Sequence, residues 1–205
     1  MSISIETMDL IYEVQRLVNK DWKSFKLCEL GNQGYFDSTN KTKKVFKYLY
    51  QSWGGNHTSI DLNGQDNALK LDLTISIDQW NIPSLKNSFD VVTNFGTTEH
   101  CFNQFQTYKN IHELVKKNGY IVHAVPLNGY WKNHSPYKYT KEFFVELAQI
   151  NEYKVNHYSE RKRGKNFLSC CILQKTTNKE FVWKKDIRGL YHYQLFSLEG
   201  NNHYL

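Results

Sequence analysis

Two short apolar runs, Phe89-Asp-Val-Val-Thr-Asn-Phe95 and Tyr120-Ile-Val-His-Ala-Val125, most narrow what this chain can fold into. Neither alternates cleanly between apolar and polar positions, which is the pattern of a strand buried on both faces. Between them, Phe102–Lys117 has helical periodicity and ends before Gly119, a natural stop. Strand, helix and strand in that order make a parallel crossover unit. The same alternation runs through the rest of the chain. Apolar Met8, Ile11, Val14, Leu17 and Val18 predict an amphipathic helix over Ile5–Asn19. Phe25–Leu30 reads as a buried strand and Lys43–Trp53 as a helix closed by Gly54-Gly55. Thr58–Leu62 and Ala68–Leu73 read as short strands, and Thr140 opens a helix to Ile150. Tyr153–Tyr158 and Phe167–Gln174, joined by the basic turn Glu160–Lys165, predict an antiparallel hairpin. The expectation is an α/β domain with a mostly parallel sheet.

A length of 205 residues is enough for one domain with a real core. The 26 Lys+Arg against 20 Asp+Glu leave a net charge of +6, which suits an anionic partner. The densest basic runs, Lys41–Lys44 and Arg161–Lys165, are more simply explained as solvated faces. Cysteines stand at 28, 101, 170 and 171, with no CxxC pair, and Cys170 and Cys171 would point to opposite sides of a strand. The sequence has neither a secretory signal pattern nor an apolar run of about 18 residues. These features predict a soluble cytoplasmic protein without membrane attachment.

In an open parallel sheet, ligands sit outside the carboxyl ends of the strands, near the switch point. That rule selects Glu29–Gly34, Asp61–Asn63, Asp72–Leu73 and Asn94–His100. A glycine turn lets a ligand approach the backbone, and a carboxylate at a strand tip can accept two ribose hydroxyls. Gly31-Asn-Gln-Gly34 does not meet the G-x-G-x-x-G pattern that seats a dinucleotide pyrophosphate. An acid two residues before the first glycine is also better suited to an ammonium group than to a diphosphate.

These segments resemble, in order, the motifs of class I S-adenosylmethionine-dependent methyltransferases, in particular the small-molecule branch. "CELGNQG" (28–34) is similar to the first motif, and "SIDLNG" (59–64) to the segment whose acid holds the ribose. "LKLDLT" (69–74) is similar to the adenine segment. "FDVVTNFGTTEHC" (89–101), "IHELVKKNGYIVHAVP" (111–126) and "NHSPYKYTKEFFVEL" (133–147) resemble the passages that follow. The resemblance implies a Rossmann-like, doubly wound, mostly parallel seven-stranded sheet with the antiparallel hairpin at its C-terminal end. It implies an N-terminal helical extension (1–24), a methyltransferase domain (25–176) and a tail (177–205) that packs on the domain or forms an interface, such as a homodimer contact. S-adenosyl-L-methionine is the implied cofactor. Its implied contacts are Glu29, Gly31 and Gly34 at the methionine end, Asp61 at the ribose, Asp72 and Leu73 at the adenine, and Asn94. His100 and His134 are the implied catalytic residues.

Two features depart from the family pattern. Asn32 or Gln33 stands where a third glycine is usual, which narrows the loop. The gap from Glu29 to Asp61 also exceeds the roughly 20 residues of a compact unit, an excess assigned to the polar insert Asp37–Lys44. No Asn-Pro-Pro-aromatic element is present, which argues against a DNA amino methyltransferase. The expected acceptor is a small molecule methylated at oxygen. An RNA acceptor is the weaker alternative, and a binding protein without catalysis is another. Glu99 and His100 could instead cap a helix, or provide metal ligands with a later histidine such as His134; no metal is assigned. His123 reads as a core histidine, and Tyr130 and Trp131 as an aromatic wall or a packed lid. Tyr191, His192, Tyr193 and Phe196 read as a cover over the site or an oligomer contact.

Overall fold

The computed structural model describes residues 2–3, 5–37 and 42–193. Its strands are β1 (Ser2–Ile3), β2 (Lys26–Leu30), β3 (Gly34–Asp37), β4 (Thr42–Val45), β5 (Asn56–Asp61) and β6 (Leu69–Lys70). They continue as β7 (Phe89–Phe95), β8 (Val115–Pro126), β9 (Tyr137–Tyr139), β10 (Tyr153–Arg163), β11 (Asn166–Lys175) and β12 (Leu190–His192). The helices are α1 (Ile5–Val18), α2 (Phe46–Ser52), α3 (Gln104–Leu114) and α4 (Lys141–Ile150). Seven strands form the main sheet in the order β10-β11-β8-β7-β2-β5-β6. Its pairings are parallel except that β11 runs antiparallel to both β10 and β8. This is the doubly wound, mostly parallel sheet expected, with the antiparallel element at its C-terminal side.

Successive residues of the central strands feed two different cores, as the two-residue period of a strand requires. Leu27, Val91, Val122 and Cys170 join Leu10, Ile11 and Val14 of α1 and Phe46 and Tyr50 of α2 on one face. Cys28, Val92, Ile121 and Cys171 join Tyr108, Ile111 and Leu114 of α3 and Phe143, Phe144 and Leu147 of α4 on the other. The adjacent Cys170 and Cys171 therefore point into opposite cores, and the four cysteines are free thiols. The tail packs Ile187 into the second core, with Phe181 and Trp183 against it, while β12 pairs with β9. Phe196 lies outside the described residues. Among the described residues, no helix is long and apolar enough to cross a membrane.

The element bounds differ from the sequence expectations in five places. The helix expected over Lys43–Trp53 begins only at Phe46, because Thr42–Val45 pairs antiparallel with Gly34–Asp37. The insert is thus a hairpin, with β1 added on its edge. The strand expected over Ala68–Leu73 shortens to Leu69–Lys70, and that over Thr58–Leu62 shifts to Asn56–Asp61. Helix α3 ends at Leu114 and Gly119 lies inside β8, where Val115 pairs with Phe89 and Tyr120 with Val91 across an irregularity. A Cβ on Gly119 would stand 2.9 Å from the Asp90 carbonyl oxygen, so close backbone approach, not helix termination, requires the glycine. Finally, β10 and β11 extend through the basic run, leaving Gly164-Lys165 as the turn.

Lys175 locks the end of β11 to the end of α3. Its Nζ donates to the carbonyls of His112 (2.8 Å) and Val115 (3.0 Å) and to Asn87 Oδ1 (3.0 Å), and burial lowers its pKa to about 8. Lys175→Met should lower the unfolding free energy by about 1–3 kcal/mol, because it leaves these buried acceptors unpaired. An unchanged urea midpoint would contradict this.

Candidate active site

The chain winds from β2 outward to β5 and β6, then crosses back to β7 and β8. The switch point therefore lies between the carboxyl ends of β2 and β7. The glycine turn sits there. Gly31 has φ +77° and donates its N–H to the Ile60 carbonyl at 2.7 Å. The positive φ demands glycine, and a Cβ there would come within 2.6 Å of Thr97 Oγ1 and 2.7 Å of Gln33 Nε2, so both side chains would have to move. Gly34 does not extend the turn; it opens β3, opposite Val45 and beside Ser2.

Glu29 is fully buried and works inward. Its Oε1 accepts the Gln33 N–H at 2.7 Å, and its Oε2 lies 3.4 Å from His57 Nε2. Burial raises its pKa, opposed by His57, the Gln33 N–H and the charge of Lys47. This acid shapes the glycine turn from below. Gln33 folds back across the turn, with its Nε2 3.0 Å from the Leu30 carbonyl and 3.3 Å from Thr97 Oγ1, while its buried Oε1 has no hydrogen-bond partner.

Asp61 ends β5 with both oxygens on backbone N–H groups, Oδ2 on Asn32 (2.7 Å) and Oδ1 on Asn63 (2.9 Å). A carboxylate has about four lone-pair positions, so two hydroxyls can still be accepted. Asp72 Oδ1 accepts from the N–H and hydroxyl of Thr74, each at 2.7 Å, and thereby shapes the loop after β6. The Leu73 carbonyl accepts from Asn110 Nδ2 (3.0 Å) and Thr107 Oγ1 (3.3 Å), which ties that loop to α3. Asp61 at the end of β5 and Asp72 on the loop after β6 thus stand at the same end of the sheet as Gly31.

Asn94 is buried and its side chain is consumed by the protein. Oδ1 accepts from Thr98 N at 3.1 Å, and Nδ2 reaches Thr98 Oγ1 at 2.8 Å and His123 Nδ1 at 3.0 Å. It therefore supports the turn that follows β7. That turn, Thr98–His100, is a single turn of 3-10 helix carrying Glu99 and His100. His134 comes from the loop between β8 and β9, and its ring meets His100 at a centroid distance of 5.1 Å. His134 also packs on Trp131, whose Nε1 donates to the Phe167 carbonyl, so Trp131 is a packed wall. The structure thus brings His100 and His134 together. His123 is a core histidine on only one side, since its Nε2 is buried without a hydrogen bond.

His57, Lys47 and Asp66, absent from the sequence reading, complete the site together with Gln33 and Thr97, which lie inside segments it selected. His57 and Lys47 flank Glu29, Gln33 and Thr97 cover the turn, and Asp66 receives Asn32 Nδ2 at 2.6 Å. No local pattern marks His57, Lys47 and Asp66, because each meets its partner through strand pairing or loop packing across many residues. The basic face is also partly neutralised, since Arg161 ion-pairs with Asp9 of α1.

The family described as "Methyltransferase domain" matches residues 42–123 of this chain. A search of curated proteins finds no match. Among solved structures, the 1,6-didemethyltoxoflavin-N1-methyltransferase of Burkholderia thailandensis, with 1,6-didemethyltoxoflavin and S-adenosylhomocysteine bound, has a TM-score of 0.57 at 13% identity; the match covers 84% of this chain and 79% of that one. The geranyl diphosphate C-methyltransferase of Streptomyces coelicolor has a TM-score of 0.52 at 7% identity, covering 82% and 79%. The 16S rRNA (adenine(1408)-N(1))-methyltransferase of Catenulisporales acidiphilia has a TM-score of 0.50 at 7% identity, covering 82% and 93%. At these identities the shared property is the fold.

Proposed function

We propose that this chain, whose fold is that of the class I methyltransferases, transfers the methyl group of S-adenosyl-L-methionine to an oxygen of a small-molecule acceptor. The observation that carries the reading is the switch-point arrangement: a glycine turn required by a positive φ, with carboxylates Asp61 at the end of β5 and Asp72 on the loop after β6. In this reading Gly31 admits the methionine end to the backbone, Asp61 accepts the ribose hydroxyls, and the loop at Asp72 and Leu73 borders the adenine. Glu29 and Asn94 act as positioning residues beneath these contacts.

Methyl transfer is an in-line displacement, so holding donor and acceptor in line supplies much of the acceleration. A hydroxyl acceptor must also lose a proton. His100, whose pKa is lowered mainly by burial, is a neutral imidazole at pH 7 and can take that proton, with His134 beside it. The solved enzymes that share this fold are named as methyltransferases acting at nitrogen, at carbon and on rRNA, so the acceptor atom rests on the two histidines and not on the fold. A soluble cytoplasmic enzyme fits this role. An RNA acceptor is disfavoured by the Arg161–Asp9 pair, which neutralises part of the basic strand.

One observation favours a second reading, in which the fold binds a partner without catalysis: the Gln33 side chain lies across the turn where the methionine end would enter. Isothermal titration with S-adenosylmethionine separates the two. Wild type should bind, and Asp61→Ala should weaken binding roughly 100-fold, the equivalent of about 3 kcal/mol for two hydrogen bonds to a charged acceptor. Absence of heat with wild type would sink the enzymatic reading.

A further inference from the structure

Glu99 poses a problem that the methyl-transfer reading leaves unsolved. Its carboxylate is completely buried, and neither oxygen accepts a hydrogen bond among the described residues. A buried carboxylate without partners costs several kcal/mol unless a cation compensates it. The nearby ammonium of Lys138 feels the charge of Glu99 but gives its protons elsewhere, to the Ser135 carbonyl (2.6 Å), Ser135 Oγ (2.8 Å) and the Tyr137 carbonyl (3.4 Å), so it makes no hydrogen bond to the carboxylate. What faces Glu99 instead is a pair of imidazoles. His100 Nε2 and His134 Nε2 each lie 3.8 Å from Glu99 Oε1, and His134 Nε2 is itself buried without a hydrogen bond.

The three ligand atoms lie within 4.8 Å of one another. A tetrahedral ion with bonds of about 2.0–2.1 Å needs ligand atoms roughly 3.3 Å apart. Small side-chain rotations of His100 and His134, both partly exposed, close that difference. We infer that Glu99, His100 and His134 bind one divalent transition-metal ion, with Glu99 as the fixed anionic anchor and the two histidines closing from the surface.

Two imidazoles and one carboxylate suit Zn2+ or a similar borderline ion better than Mg2+ or Ca2+. Three protein ligands leave a fourth position open, the pattern of reactive rather than purely structural sites. The three side chains come from the segments that follow the carboxyl ends of β7 and β8. Resting on the methyltransferase reading, the open position would take the acceptor oxygen, so the acceptor class becomes a hydroxyl compound able to ligate a metal. In the loaded protein the histidines would serve as ligands; the ion would acidify the hydroxyl so that its proton leaves to solvent, and the oxygen would then displace S-adenosylhomocysteine from the methyl group.

The full chain, stripped with EDTA, is titrated with Zn2+ in a calorimeter and with Co2+ in the visible range. One Zn2+ per chain is expected, together with a Co2+ absorption band of a low-coordinate N/O site. Glu99→Gln and His134→Ala should each weaken Zn2+ binding by at least about 10- to 100-fold, the penalty that even supporting partners of a metal ligand carry. His157→Gln, which removes a histidine paired with Glu13 on another part of the molecule, should leave binding unchanged. No binding by wild type, or equal affinity in wild type and both variants, overturns the inference. Circular dichroism checks folding; if Glu99→Gln does not fold, His134→Ala in the surface loop decides alone. S-adenosylmethionine titrated into the stripped chain reports cofactor binding separately, so failure of the ion site and failure of the methyltransferase reading give different results.

Discussion

Replacing Asn94 with alanine should lower the unfolding free energy by about 3–4 kcal/mol and loosen the turn that carries Glu99 and His100. The side chain is wholly buried at the end of β7. It accepts from the N–H groups of Thr97 (3.4 Å) and Thr98 (3.1 Å), and donates to Thr98 Oγ1 (2.8 Å) and His123 Nδ1 (3.0 Å). Alanine leaves at least one buried N–H and one imidazole nitrogen without partners, each costing about 1–3 kcal/mol, and opens a small cavity. Because these bonds join β7 to its own following turn and to β8, amide exchange should accelerate first over Thr97–Cys101. Equilibrium urea unfolding and hydrogen exchange check both parts. An unchanged midpoint, or faster exchange spread evenly over the protein, would contradict the role given to Asn94.

Acidification should destabilise the fold well before its ion pairs titrate, because two histidines are buried as neutral rings. Burial, helped by the charge of Lys175, lowers the pKa of His112 to about 4, and burial alone lowers that of His123 to about 3. His112 is neutral and fully engaged, with Tyr153 Oη at 2.6 Å from Nδ1 and the Lys179 carbonyl at 3.0 Å from Nε2. In the unfolded chain both titrate near 6.5. Between that value and the folded values the unfolded chain holds more protons, so lowering the pH favours unfolding. The histidine contribution is therefore complete above pH 6.5 and is lost as pH falls through 6.5 toward 4 and 3. At 1.36 kcal/mol per pH unit the pair together is worth on the order of 5 kcal/mol or more, comparable to the whole stability of many domains.

Glu29, with its raised pKa, acts in the opposite sense, so the total slope mixes signs. Variants isolate the histidines: His112→Gln and His123→Asn should each flatten the fall in unfolding free energy measured between pH 7 and 4.5. A wild-type slope that neither variant changes would refute the assignment.

The buried strands were legible because their apolar runs are local. β2, β7 and β8 each draw their phase from a few consecutive residues, and the opposite facing of Cys170 and Cys171 follows from the strand period. The hairpin β3–β4 was not legible, since Lys43–Trp53 has helical spacing and only the pairing of Thr42–Val45 with Gly34–Asp37 overrides it. The same distinction runs through the site. Gly31 and Asp61 could be picked out because strand ends followed by a glycine turn or an acid are local signals. The partners of Glu29 and Asn94 could not, because His57 and His123 lie 28 and 29 residues away in the chain.

By itself, then, the sequence determined the succession of the seven main-sheet strands and the four helices, the glycine turn and the placing of acids at strand ends. All of these follow from the periods of 2 and 3.6 and from residues that break them. Tertiary structure decided which of the polar groups are already satisfied: Glu29 and Asn94 are spent holding turns, whereas Glu99 is buried facing two imidazoles with no hydrogen bond of its own. The reason is physical. A side chain's burial and its hydrogen-bond partners are set by strands and loops brought together from distant parts of the chain, and residue spacing along one segment carries no record of them.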